Sequence, residues 1–121
     1  MYDQLLFPTD GSEGAATAFE HILDVAAAHD ATVHVLSVVD TTADGLRRVS
    51  DEAVDELERD AEQLVSETAA TAEERGVETV TAVERGEPYE EIGAYANREG
   101  ADLIAMPTHG HRGLERFFLG S

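Results

Sequence analysis

The chain of 121 residues contains no cysteine and no lysine. Without cysteine there can be no disulfide, no zinc–thiolate centre and no cysteine nucleophile. Without lysine there is no cation for a Gly-x4-Gly-Lys-Ser/Thr phosphate loop, and that motif does not occur. Positive charge is scarce throughout. All eight basic residues are arginine, against 26 aspartates and glutamates, for a formal net charge of -18. A surface this acidic repels nucleic acid and anionic membrane at ordinary salt, so neither is expected as a partner. No apolar run approaches the roughly 20 residues of a membrane helix. The start, Met1-Tyr2-Asp3-Gln4, lacks the basic residues of a signal peptide, so cytoplasmic residence is the expectation. No Gly-x-Gly-x-x-Gly follows the first apolar run, and no serine sits in a Gly-x-Ser-x-Gly elbow. Nothing places a nucleophile beside a base. The sequence carries binding machinery without catalytic machinery.

What is present suits one domain spanning residues 1–121, with 42% hydrophobic residues to supply a core. The acids concentrate on outer helix faces, as in Asp51-Glu52, Asp55-Glu56, Glu58, Glu73-Glu74 and Glu90-Glu91. That placement suits a solvated shell adapted to molar salt, where the Debye length is about 3 Å and self-repulsion is screened.

Apolar runs predict strands at Gln4–Phe7, Thr32–Val39, Glu78–Val83 and Asp102–Met106. The second is almost continuously apolar and β-branched, as a parallel strand covered on both faces should be. Helical patterns fill the gaps. Ser12 caps a helix whose inner face is Ala15, Phe19, Ile22, Leu23 and Ala26. Ser50 caps a longer one with the stripe Val54, Leu57, Ala61, Leu64, Val65, Thr68 and Ala72, stopped near Gly76. Pro88 opens a third, carrying Ile92, Tyr95 and Ala96, and Gly100 ends it. Residues Thr41–Val49 form a polar connection, the segment expected to move most. The order βαβαβαβ followed by a loop predicts an α/β fold, a doubly wound parallel sheet with right-handed crossovers. Ligands of such sheets bind beyond the carboxyl ends of the strands, where the strand order reverses.

Two strand ends carry matching punctuation. Leu5-Leu6-Phe7 runs into Pro8-Thr9-Asp10-Gly11-Ser12, and Asp102–Met106 runs into Pro107-Thr108-His109-Gly110-His111-Arg112-Gly113. Farther on stands Gly120-Ser121. Glycines, hydroxyls and an arginine in a strand-end loop suit an anion, because glycine lets backbone N–H groups approach phosphate and a helix N-terminus adds partial positive charge.

The strand ending Pro-Thr-Asp, together with Gly110, nine residues and then Gly120-Ser121, resembles the universal stress protein family. Pro107 stands where the first glycine of that pattern would be, and it offers no N–H. The resemblance implies a Rossmann-like, adenine nucleotide alpha hydrolase-like fold, whose usual final helix and strand would be missing from this chain. It implies a stress-response or signalling module binding ATP or another adenine nucleotide such as AMP, with Mg²⁺ offsetting phosphate charge, and assembly as a homodimer. It places Pro8, Thr9, Asp10, Val38, Met106, Pro107, Thr108, His109, Gly110, His111, Arg112, Gly113, Gly120 and Ser121 at the nucleotide. Val38 matches the position against adenine, and the loop and Gly-Ser amides surround the phosphates. A nucleotide-independent dimeric interaction module and a slow ATPase are the alternatives.

Each residue also has a plainer reading. Asp10 can close an Asx turn beside Gly11-Ser12 as well as accept from ribose hydroxyls. Val38 can be a core valine. His109 and His111 lack a third metal ligand, so phosphate contact suits them better than metal. Arg112 and Arg116 can simply balance Glu115, and Phe117-Phe118-Leu119 reads as core or interface. His34 lies within a strand and reads as a packed core histidine; His21 and His29 read as helix-surface residues.

Overall fold

The computed structural model of the chain describes residues 2–41, 51–106 and 116–119. Strands β1 (Gln4–Pro8), β2 (Thr32–Asp40), β3 (Thr79–Gly86) and β4 (Leu103–Met106) alternate with helices α1 (Glu13–His29), α2 (Asp51–Glu74) and α3 (Pro88–Glu99). A fifth strand, β5 (Arg116–Leu119), follows. The sheet order is β3-β2-β1-β4-β5. β1 pairs in parallel with β2, Gln4 opposite Thr32 through Pro8 opposite Leu36, and with β4, Leu5 opposite Leu103. The chain therefore winds outward from β1 in one direction, then crosses back to place β4 on its other side. The strand order reverses between β1 and β4.

The element order expected from the sequence is the one observed, with one correction. Residues 116–119, expected to belong to a loop after the fourth strand, form a strand antiparallel to β4, Leu103 opposite Leu119. Four residues are too short for periodicity to reveal a strand. β3 also runs to Gly86 rather than Val83, because its pairing with β2 continues through Glu84, Arg85 and Gly86. The Thr41–Val49 connection apart from Thr41, the Ser50 cap, Pro107–Gly113, Gly120 and Ser121 lie outside the described residues.

Local chemistry sets the helix ends. Ser12 takes extended backbone angles and its hydroxyl accepts from the Ala15 N–H. At α3 the Glu87 carboxylate accepts from the Glu90 N–H, and Pro88 occupies the first turn, where its missing N–H costs nothing. Gly100 closes α3 in the left-handed region at φ 69°.

The two sheet faces carry separate cores. Leu5, Phe7, Val33, Val35 and Leu103 pack with Phe19, Ile22 and Leu23 of α1 and Val65 and Ala72 of α2. On the opposite face, Leu6 and Leu36 pack with Ile92, Tyr95 and Ala96 of α3. Each fully buried leucine or isoleucine contributes about 1.5–3 kcal/mol of transfer free energy. The α3 face also holds a polar tie. His34 is buried as expected, with Nε2 donating to Gln4 Oε1 at 2.6 Å and Nδ1 accepting from the Tyr95 hydroxyl at 2.8 Å. His21 is exposed, whereas His29 is half-buried, accepts from the Tyr2 N–H and packs at a tilt against the Tyr2 ring.

Candidate functional site

Every β-strand of a βα unit delivers its carboxyl end, and the next helix its N-terminus, to the same edge of the sheet. At that edge, beside the reversal between β1 and β4, lies an open cleft of about 420 Å³. Its size falls within the range of small-molecule sites, about 300–1,000 Å³.

The floor and walls divide by chemistry. Leu36, Val38, Ile92 and Met106 give an apolar pouch beneath the first turn of α3, where Pro88 and Tyr89 stand. Thr9, Asp10, Ser12 and Gly14 give a polar end at the start of α1. The turn between them is tightly built. The Thr9 N–H donates to the Leu36 carbonyl at 2.8 Å, extending β1–β2 pairing beyond Pro8. Thr9 Oγ1 accepts from the Gly11 N–H at 3.2 Å, and Asp10 Oδ1 accepts from the Ser12 N–H at 2.9 Å. Gly11 sits at φ 81°, a conformation that glycine adopts without strain. Asp10 thus closes an Asx turn while its exposed carboxylate borders the cleft.

Five of the sequence-derived candidates, Pro8, Thr9, Asp10, Val38 and Met106, line this one cleft. Val38 is half-buried, packing against the core of the α3 face and lining the cleft as well. The other nine, Pro107, Thr108, His109, Gly110, His111, Arg112, Gly113, Gly120 and Ser121, lie outside the described residues. In sequence, Pro107 directly follows Met106, the last described residue of β4 and part of the cleft lining. Sequence reasoning missed Ser12, Gly14, Leu36, Pro88, Tyr89 and Ile92 as lining residues. The signal for Pro88 and Tyr89 was available: a helix opening after a parallel strand must start at the carboxyl edge.

Among the described residues no basic side chain lines the cleft, and no group of three His, Asp or Glu residues is arranged to hold a metal ion. Arg75 is engaged by Glu20 and Asp24, Arg85 by Asp55 and Glu58, and Arg98 by Glu84 and Glu99. Among the described residues, the groups that could donate to an anion here are backbone N–H groups and the Thr9 and Ser12 hydroxyls. No described helix is long and apolar enough to cross a membrane. A second cavity, about 230 Å³, lies on the other sheet face between α1 and α2, lined by Phe7, Phe19, Leu64 and Thr68 among others.

An α/β sheet with its cleft at the strand reversal defines a class of binding fold, and comparison with known proteins identifies which. The model of the Universal stress protein family matches residues 1–121, and the chain belongs to that family. A universal stress protein of Methanocaldococcus jannaschii is 36% identical, over all of this chain and 73% of its own length. A solved structure of hypothetical protein MJ0577, described as a structure-based assignment of biochemical function, superposes with a TM-score of 0.79 at 30% identity, covering 99% of this chain and 84% of that one. A universal stress protein solved in complex with cAMP shares the fold at a TM-score of 0.57 and 21% identity, over 85% of this chain and 70% of that one.

Proposed function

We propose that this universal stress protein binds an adenine nucleotide, ATP or a related one such as AMP, in the cleft at the carboxyl ends of β1, β2 and β4, and uses occupancy as a signal. The observation that carries the reading is the convergence of Pro8, Thr9, Asp10, Val38 and Met106, from three strands, on one cleft with an apolar pouch and a polar end. The donor set fits a nucleotide. The pouch of Val38, Leu36 and Met106 suits a base, and the Asp10 carboxylate suits ribose hydroxyls. The start of α1 and the loop from Pro107 to Gly113, with Gly120-Ser121, would face the phosphates. Asp10 belongs at the nucleoside end, since a carboxylate beside phosphate would repel it. Mg²⁺ or another cation would offset phosphate charge in so acidic a protein. A related fold solved with cAMP is consistent with this ligand class.

The same proposal includes a homodimer. β5 lies at the sheet edge, where an unpaired strand side offers backbone groups to a second chain. Sedimentation at molar salt measures this directly, and a monomer mass removes that part.

The ligand is tested by calorimetric titration of the purified protein with ATP and AMP, beside Asp10→Asn. Asparagine keeps an oxygen for the Ser12 N–H but loses the charge. Hydrogen bonds to charged groups exceed neutral ones by about 1 kcal/mol, so affinity should fall about fivefold to tenfold. Unchanged affinity would move the ribose away from Asp10, and no binding by the wild type would remove the proposal.

A further inference from the structure

We propose that Tyr89 is the base-stacking residue of the cleft, so that the site selects ligands carrying a planar nucleobase over inorganic polyphosphates. This rests on the nucleotide reading above and specifies which half of the ligand this chain recognises through its own side chains.

At the start of α3, Glu87, Pro88 and Ile92 each have a structural task that Tyr89 lacks. Glu87 caps the helix, Pro88 starts it, and Ile92 is buried in the core against Leu6 and Leu36. Tyr89 is 65% exposed, the most exposed of the large hydrophobic side chains among the described residues. Tyr95 of the same helix is by contrast buried and hydrogen-bonded. Among the described residues none hydrogen-bonds the Tyr89 hydroxyl and none stacks on its ring, whereas Phe7, Phe19, Tyr2 and Tyr95 all have ring partners. A largely exposed aromatic ring with no ring partner among the described residues stands on the rim of a cleft whose remaining apolar lining is aliphatic, including Leu36, Val38, Ile92 and Met106.

That pairing suits a flat, polarisable group. A base entering the pouch can lay one face on the tyrosine ring and meet branched aliphatic carbons and the Met106 thioether elsewhere. A bare phosphate chain would gain nothing from either surface. Stacking is indifferent to which base is bound, so Tyr89 contributes affinity for nucleobases as a class.

The test titrates wild type, Tyr89→Phe and Tyr89→Ala with ATP and with inorganic tripolyphosphate, at one molar salt concentration, with circular dichroism confirming that each is folded. Base–aromatic stacking predicts that Tyr89→Ala weakens ATP about fivefold to a hundredfold. Tyr89→Phe should stay within about threefold, since the ring and not the hydroxyl does the stacking. Tripolyphosphate should bind all three proteins equally weakly. Wild-type ATP affinity in Tyr89→Ala overturns the inference while leaving the nucleotide reading intact. Equal binding of ATP and tripolyphosphate by the wild type also overturns it, and absence of ATP binding by the wild type overturns both.

Discussion

His34 in β2 and Tyr95 in α3, 61 residues apart, share a buried hydrogen bond of 2.8 Å between Nδ1 and the phenolic oxygen. The bond fixes α3 against the sheet, and α3 carries Tyr89 and Ile92 to the cleft. The Arg98 guanidinium lies 5.1 Å from the Tyr95 ring centre, over its outer face. A buried acceptor in this arrangement is expensive to strand. Tyr95→Phe removes the donor and leaves Nδ1 without one, which should lower stability by about 1–3 kcal/mol. Thermal melts should show a drop on the order of 5–10 °C. A variant as stable as the wild type would mean that water replaces the hydroxyl without cost.

The same pair makes stability pH-dependent. Burial holds the His34 imidazole below its ordinary value, while the charge of Glu99 opposes the shift. Gln4, Tyr95 and, farther out, Arg98 and Glu99 surround it. In the unfolded chain the imidazole titrates near its ordinary value, about 6.5. Its contribution is therefore complete above that value and is lost as pH falls toward the lower folded value, because the unfolded chain takes up the proton first. His34→Gln has no such proton. At molar KCl the Tm gap between wild type and this variant should narrow from about pH 7.5 to about pH 5.5. A constant or widening gap would show that His34 is not held neutral by the fold.

Much of this architecture could be read from the chain, for identifiable reasons. The run Val33–Val39 is apolar enough to demand cover on both sides, and α1 and α2 on one face with α3 on the other supply it. Ser12, Pro88 and Gly100 announce helix ends through chemistry that acts within a few residues. The candidate cleft could be anticipated where two apolar runs end in the same Pro-Thr step, and Pro8, Thr9 and Met106 line one cleft. Less visible was what depends on tertiary arrangement. Leu36 and Ile92 look like ordinary core residues, and only the topology places them beneath an opening. Tyr89 looks like one more exposed residue in an acidic helix start. β5 is four residues long and takes its definition from pairing with β4.

Salt should stabilise the fold rather than weaken it. The ion pairs of Arg75, Arg85 and Arg98 are exposed, and solvent leaves each of them little weight in stability. Screening them costs less than the relief of repulsion among 26 acids facing eight arginines. Melts in low and molar KCl should therefore show a higher Tm at molar salt. An unchanged Tm would speak against adaptation to salt, and a lower one would show that the ion pairs outweigh the repulsion among the acids.

The loop after β4 offers a separate check on the phosphate end. Gly110→Val puts a β-branched side chain where the family pattern brings phosphate close to backbone, and should abolish nucleotide binding in a protein that still folds. Wild-type affinity in this variant, measured by calorimetry, would place the phosphates elsewhere.

Everything proposed for the ligand depends on where it sits, and amide chemical-shift mapping reads that location residue by residue. Isotope-labelled protein at molar KCl is titrated with ATP while backbone resonances are followed. The largest shifts should cluster at Thr9, Asp10, Val38, Tyr89 and Met106, with the α1–α2 side of the sheet little changed. Shifts centred on Phe19, Leu64 and Thr68, or none at saturating nucleotide, would refute a ligand site at the carboxyl ends of β1, β2 and β4.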